Sequence, residues 1–190
     1  MAGYTIKTSG GRLRAASRQS GLVLPELLLA LALLAVLCAL AVPGLAALRE
    51  SMRLRATTEA LRSSLHLARA EAFKRGGRVT LARIIDADDC QDDSVGQWRC
   101  GWKVFVDVDE DGQQDGAEEL LQSVVEAGNV DVRQTSRRTA LTVSPWGQFN
   151  GMGALGFQLK SRAAPSTVAA ICVSAGGRIQ TRPGAAGCSE

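Results

Sequence analysis

From Leu22 to Leu48 the chain carries no charge except at Glu26. No other stretch constrains the fold as strongly. As a helix it is long enough to cross a hydrocarbon core of about 30 Å. Such a segment has to be covered by lipid or by other protein. A carboxylate inside a membrane span costs about 2.5–3.5 kcal/mol on insertion scales, so Glu26 calls for a partner or a function. An ordinary secretory signal fits poorly, because its apolar region is shorter and its cleavage site follows that region. Here the small and polar residues "RAASRQSG" come before the run. Lys7, Arg12, Arg14 and Arg18 precede it without an acid, which places residues 1–21 in the cytoplasm and the remainder outside.

The net charge of +3 is unevenly spread. Residues 79–130 hold three bases and thirteen acids, whereas residues 131–190 hold seven bases and two acids. A general attraction to nucleic acid therefore has no support from the total, and any such case rests on a local patch. One cysteine, Cys38, lies in the apolar run, where it behaves as a small hydrophobe. The other four, Cys90, Cys100, Cys172 and Cys188, allow three pairings, and the short loops Cys90–Cys100 and Cys172–Cys188 are favoured. Export favours disulfides over the alternative of four reduced thiols. Zinc ranks third, since the spacing is not that of close ligand pairs and the chain has one histidine.

Beyond the run, Leu54, Leu61, Leu65, Ala68 and Ala72 form one apolar stripe at helical spacing, and Gly76-Gly77 ends it. His66 sits beside the stripe and reads as a surface residue. After Gly77 the period shortens. Eight β-rich segments follow: "RVTLARII", "GWKVFVDVD", "ELLQSVVE", "VDVRQ", "ALTVS", "ALGFQLK", "STVAAICVS" and "GRIQT". The expected fold is α+β: a long amino-terminal helix over residues 22–76, spanning a membrane at about 22–48, packed on a mainly antiparallel β domain over 77–190. One loop, "DVDEDGQQDGAE", has the D-x-D-x-D-G-x5-E spacing of a calcium loop, with Asp107, Asp109, Asp111, Asp115 and Glu118 as oxygen donors. Its flanks read as strands rather than helices, so a solvated acidic hairpin ranks ahead of a calcium site. No nucleophile, base or phosphate-loop pattern supports catalysis, and the chain is not expected to be an enzyme.

A basic leader ending in Gly21, then "LVLPE" with Glu26 fifth after the glycine, resembles the type III signal of type IV pilins and type II secretion pseudopilins. The resemblance implies cleavage of residues 1–21 by a prepilin peptidase and N-methylation of Leu22. It also implies that Glu26 neutralises a neighbouring subunit's amino terminus during assembly. Pro43 matches the proline often found at this depth in pilin helices. Leu22 stands where phenylalanine is commonest and Pro25 where a branched aliphatic is usual; within a first turn Pro25 removes no intrahelical bond.

The outer motifs, "WRCGWKVFVDVDEDG", "PWGQFNG" before "GFQL", and "ICVSAGGRIQTR" with a closing Cys188, are similar to the GspH/FimT family, pseudopilin H of type II secretion and the FimT minor pilin. Membership implies a subunit that assembles with other major and minor pilins or pseudopilins on an inner-membrane platform, with its carboxy-terminal domain in the periplasm. The FimT branch further implies contact with double-stranded DNA during uptake through a Gly-Arg-x-Arg element. Here Gly177, Arg178 and Ile179 match, Gln180 replaces the second arginine, and Arg182 follows two residues later. In a strand, Arg178, Gln180 and Arg182 share one face. Arg133, Arg137, Arg138, Lys160 and Arg162 would extend the patch if the fold gathers them. An ordinary polar edge strand is an equal alternative.

Overall fold

The computed structural model describes residues 24–87, 90–91, 94–126, 128–150 and 153–188. Among these residues there is one helix, α1, which spans Leu24–Arg75. The chain divides into two compact units, residues 1–42 and residues 43–190.

In the first unit the described helical residues are exposed throughout, with Leu24, Leu29, Leu37 and Leu40 among the most open. This half of α1 is long and apolar enough to cross a membrane. Pro43 lies within the helical span, and its side chain is outside the described residues.

In the second unit α1 turns the expected stripe inward. Leu54 is buried, and Leu61, Leu65, Ala68 and Ala72 are wholly so. Full burial of each leucine contributes about 1.5–3 kcal/mol. The helix stops at Gly76, whose φ of 76° is the left-handed conformation that a residue with a Cβ resists. The Gly77 amide then donates to the Ala72 carbonyl at 2.8 Å, closing the end in a Schellman arrangement.

Among the described residues ten strands follow: β1 Val79–Arg83, β2 Asp86–Ala87, β3 Cys90–Gln91, β4 Gly101–Val106, β5 Leu120–Val125, β6 Val130–Gln134, β7 Ala140–Val143, β8 Leu155–Ser161, β9 Val168–Val173 and β10 Ile179–Pro183. They form two four-stranded antiparallel sheets, ordered β5-β4-β1-β7 and β10-β9-β8-β6, and a small β2-β3 pair. Each of the eight expected segments overlaps one strand of the two main sheets, with β8 and β10 running on past the ends of theirs to Ser161 and Pro183. The stripe of α1 joins Val79, Leu81, Trp102 and Leu141 of the first sheet and Val132, Phe157, Leu159 and Ile171 of the second in one core. Trp98 bridges to the second sheet, its ring edge-on to Phe157 with centroids 5.2 Å apart.

Candidate functional site

The turn between β4 and β5 is built around Asp107. This residue is fully buried although it opens an acidic loop. Thr80 Oγ1, also buried, donates to its Oδ2 at 2.7 Å, and the Gly112 amide donates to the same oxygen at 3.1 Å. Asp107 Oδ1 has no hydrogen-bond partner among the described residues. One oxygen from each of Asp107, Asp109 and Glu118 lies within 4.8 Å of the others. Glu118 folds back over the loop, accepting from the Val108 amide at 2.7 Å. Asp111 and Asp115 are not in this group. Asp111 Oδ1 instead accepts from the Gln113 amide and Asp115 Oδ1 from the Ala117 amide, each two residues on, as short acidic side chains do in turns. Sequence spacing nominated five donors, and the fold gathers three.

A second feature lies on the outer face of the other sheet. Arg178, Gln180 and Arg182 line one cleft with Thr135, Ser174 and Cys188, so the shared face expected from strand alternation is present. Register also aligns Arg182 with Ala170, Ala170 with Gln158, and Gln158 with Arg133, in one row across β10, β9, β8 and β6. The carboxy-terminal tail crosses this face. Cys188 is bonded to Cys172, and its sulfur lies only 2.6 Å from where a side chain on Gly156 would begin. That approach explains glycine in the middle of β8. Arg137 and Arg138 are exposed, while Lys160 stands opposite Asp131 and Arg162 Nε lies 3.9 Å from Asp131. The basic residues are thus partly offset by one acid. Cys100 is disulfide-bonded as well; the Cys90 side chain is outside the described residues.

At the other end of the chain, Gly21 and Leu22 lie outside the described residues. Glu26 is exposed in the first described turn of α1, where a helix dipole favours an acid. His66 is exposed on α1, as expected. Slight burial and the nearby Arg62 and Arg69 hold its imidazole below the usual range.

Two features escaped the sequence reading. Thr80, which orients Asp107, looked like any residue of an apolar strand; a threonine between Val79 and Leu81 was the only signal. The other is that the turn at "PWG" rests on α1. Trp146 is 78% exposed, and a side chain on Gly147 would collide with Phe73 of the helix.

An exposed apolar helical segment, an amphipathic continuation, and two antiparallel sheets closed by a tail disulfide define a type IV pilin-like subunit. The sequence comparison makes this specific: residues 57–177, more than half of the chain, match the model of the family described as type II transport protein GspH. The chain belongs to that family, whose members are minor pilins and pseudopilins of type IV pilus and type II secretion systems. Two crystal forms of the Pseudomonas aeruginosa (strain PAO1) type IV minor pilin FimU share the fold. One is 18% identical with a TM-score of 0.55, covering 68% of this chain and 93% of FimU. The other is 19% identical with a TM-score of 0.56, covering 70% and 90%. No curated protein matches the sequence.

Proposed function

We propose that the chain is a structural, non-enzymatic minor subunit of a periplasmic filament or of its tip, in a type II secretion or type IV pilus system. Before assembly it is held in the inner membrane by residues of about 22–48, with its β domain, residues 77–190, in the periplasm. The observation that carries this reading is the apolar half of α1, exposed from Leu24 onward and interrupted only by Glu26. Left uncovered, that surface is incompatible with a soluble monomer. Lipid covers it first and the helices of neighbouring pilins or pseudopilins afterwards.

The reading requires a prepilin peptidase to cut after Gly21 and methylate Leu22. Glu26 then faces the new amine of a neighbouring subunit, since a buried amine and a buried carboxylate are each costly alone and tolerable when paired. Pro43 sits where the helix loses one backbone donor and adapts to packing. Mass spectrometry of the membrane-extracted chain tests the first step. Wild type should lack residues 1–21 and carry a methyl group, whereas Gly21→Ala should keep its leader; normal maturation of that variant overturns the proposal. Glu26→Ala should be processed normally yet fail to co-purify with filaments.

A second reading has one observation in its favour: Arg178 and Arg182 line the same cleft. The full chain in mild detergent would then bind duplex DNA with an affinity that falls steeply with salt, as phosphate contacts demand. Arg178→Ala should weaken binding across all sequences alike. Salt-independent or absent retardation in a gel shift removes this reading.

A further inference from the structure

The β4–β5 turn has a property that neither filament assembly nor DNA contact uses. Asp107 is fully buried, and one of its two carboxylate oxygens, Oδ1, has no hydrogen-bond partner among the described residues. Native proteins rarely leave a buried polar atom unmatched, and an ionised oxygen is the costliest kind to leave so. The other oxygen is held by Thr80 and by the Gly112 amide, which fixes the carboxylate in place. Two more carboxylates, Asp109 and Glu118, bring an oxygen to within 4.8 Å of it. Among the described residues no side-chain cation pairs with any of the three. Arg78 approaches Glu110 instead, at 4.0 Å, and Lys103 donates to Gln114. Three carboxylates converge without a counter-charge, one of them rigid, buried and half-satisfied.

We infer that this turn is a site for a hard divalent cation of the calcium class, held by Asp107, Asp109 and Glu118. Oxygen-only donors exclude the softer transition metals as the preferred occupant. Calcium accepts irregular shells of six to eight oxygens, which three carboxylates on an irregular turn can begin and water can complete; magnesium demands a near-ideal octahedron. A cation there joins the end of β4 to the start of β5 and offsets part of the negative charge of the loop. Asp111 and Asp115 play no part, because neither belongs to the group whose oxygens all lie within 4.8 Å of one another. The structure therefore separates from the calcium-loop pattern a smaller ligand set that spacing alone does not give.

Calcium titration of the metal-stripped full chain in detergent, followed by calorimetry and by thermal melting, tests the inference. One saturable site is expected, with a dissociation constant of roughly 10⁻⁴–10⁻³ M as in extracellular calcium modules. The melting temperature should rise with calcium, rise less with magnesium at equal concentration, and fall back with a chelator. Asp109→Asn and Glu118→Gln should each weaken binding about tenfold or more, whereas Asp111→Asn should bind like wild type. Circular dichroism confirms that each variant keeps its fold, and two variants at different positions guard against one misfolding. Absence of saturable binding at about 10 mM calcium, several times the weakest constant expected, overturns the inference. So does an equal loss in Asp111→Asn, which would indicate diffuse attraction to a charged loop. Both results are independent of filament assembly, since neither measurement requires processing or partner subunits.

Discussion

Ser64 shows how one polar residue on a buried face is made acceptable. It lies on the core side of α1, fully buried, where a serine would ordinarily weaken packing. The Trp102 indole N–H donates to its oxygen at 2.8 Å, and Gln122 Oε1 lies 2.7 Å from the same hydroxyl. The helix is thereby tied to β4 and β5 through a single atom. Removing it strands the indole donor in the core, a loss of about 1–3 kcal/mol. Ser64→Ala should lower unfolding free energy by that amount in denaturant titration of the full chain in detergent. A double-mutant cycle separates this bond from cavity effects: in Ser64→Ala with Trp102→Phe the combined cost should fall short of the sum. Strict additivity would show that the bond carries no energy. Nothing in the sequence marks Ser64 as special, because the two partners that tie it to the sheet are 38 and 58 residues away.

Elements were more legible than sites, for a physical reason. The stripe of α1 and the eight long strands follow from local periodicity, which each segment carries within itself. β6 occupies the whole of "VDVRQ" and no more. The two-residue strands β2 and β3 went unseen, since an Asp-rich loop has neither alternation nor β-branched residues to signal pairing. The acidic turn was legible as a pattern but not as a geometry. Which carboxylates converge depends on the positive φ of Glu110 and Gly112 and on Thr80, a residue from another strand. The junction of α1 with the loop after β5 makes a similar point. Glu126 is half-buried there, and burial raises its pKa above the ordinary 4.5, with a hydrogen bond from Thr57 opposing the shift. A raised carboxylate means that the folded state binds its proton more tightly than the unfolded state does. Its contribution is therefore most favourable below about pH 4.5 and is lost as pH rises through the folded value. Glu126→Gln, which can still accept from Thr57, should gain melting temperature relative to wild type on going from pH 4 to pH 7. A difference that is flat across that range would rule out the proposed cause.

At the scale of the whole chain, the division of labour follows the distribution of apolar surface. Every residue of the buried core lies at or beyond Leu54, and both sheets, the helix cap and the tail disulfide lie within residues 43–190. The exposed leucines from Leu24 to Leu48 contribute nothing to that core. Their hydration instead favours leaving water, at about 25 cal/mol for each Å² covered. Two stretches of one helix thus differ in their surroundings: the first exposes its apolar side chains, and the second buries its stripe in the core of the domain. Deleting residues 1–48 should consequently change solubility without changing the fold. The truncated chain is expected to elute as a monomer without detergent and to unfold cooperatively. Its melting temperature should lie within a few degrees of the full chain, since a loss of about 1 kcal/mol shifts a domain this size by roughly 2–8 °C. Aggregation or non-cooperative melting would mean that the apolar half of α1 supports the domain directly. The serine bond to Trp102 gives an internal control, because Ser64→Ala should cost the same in the truncated chain as in the full one.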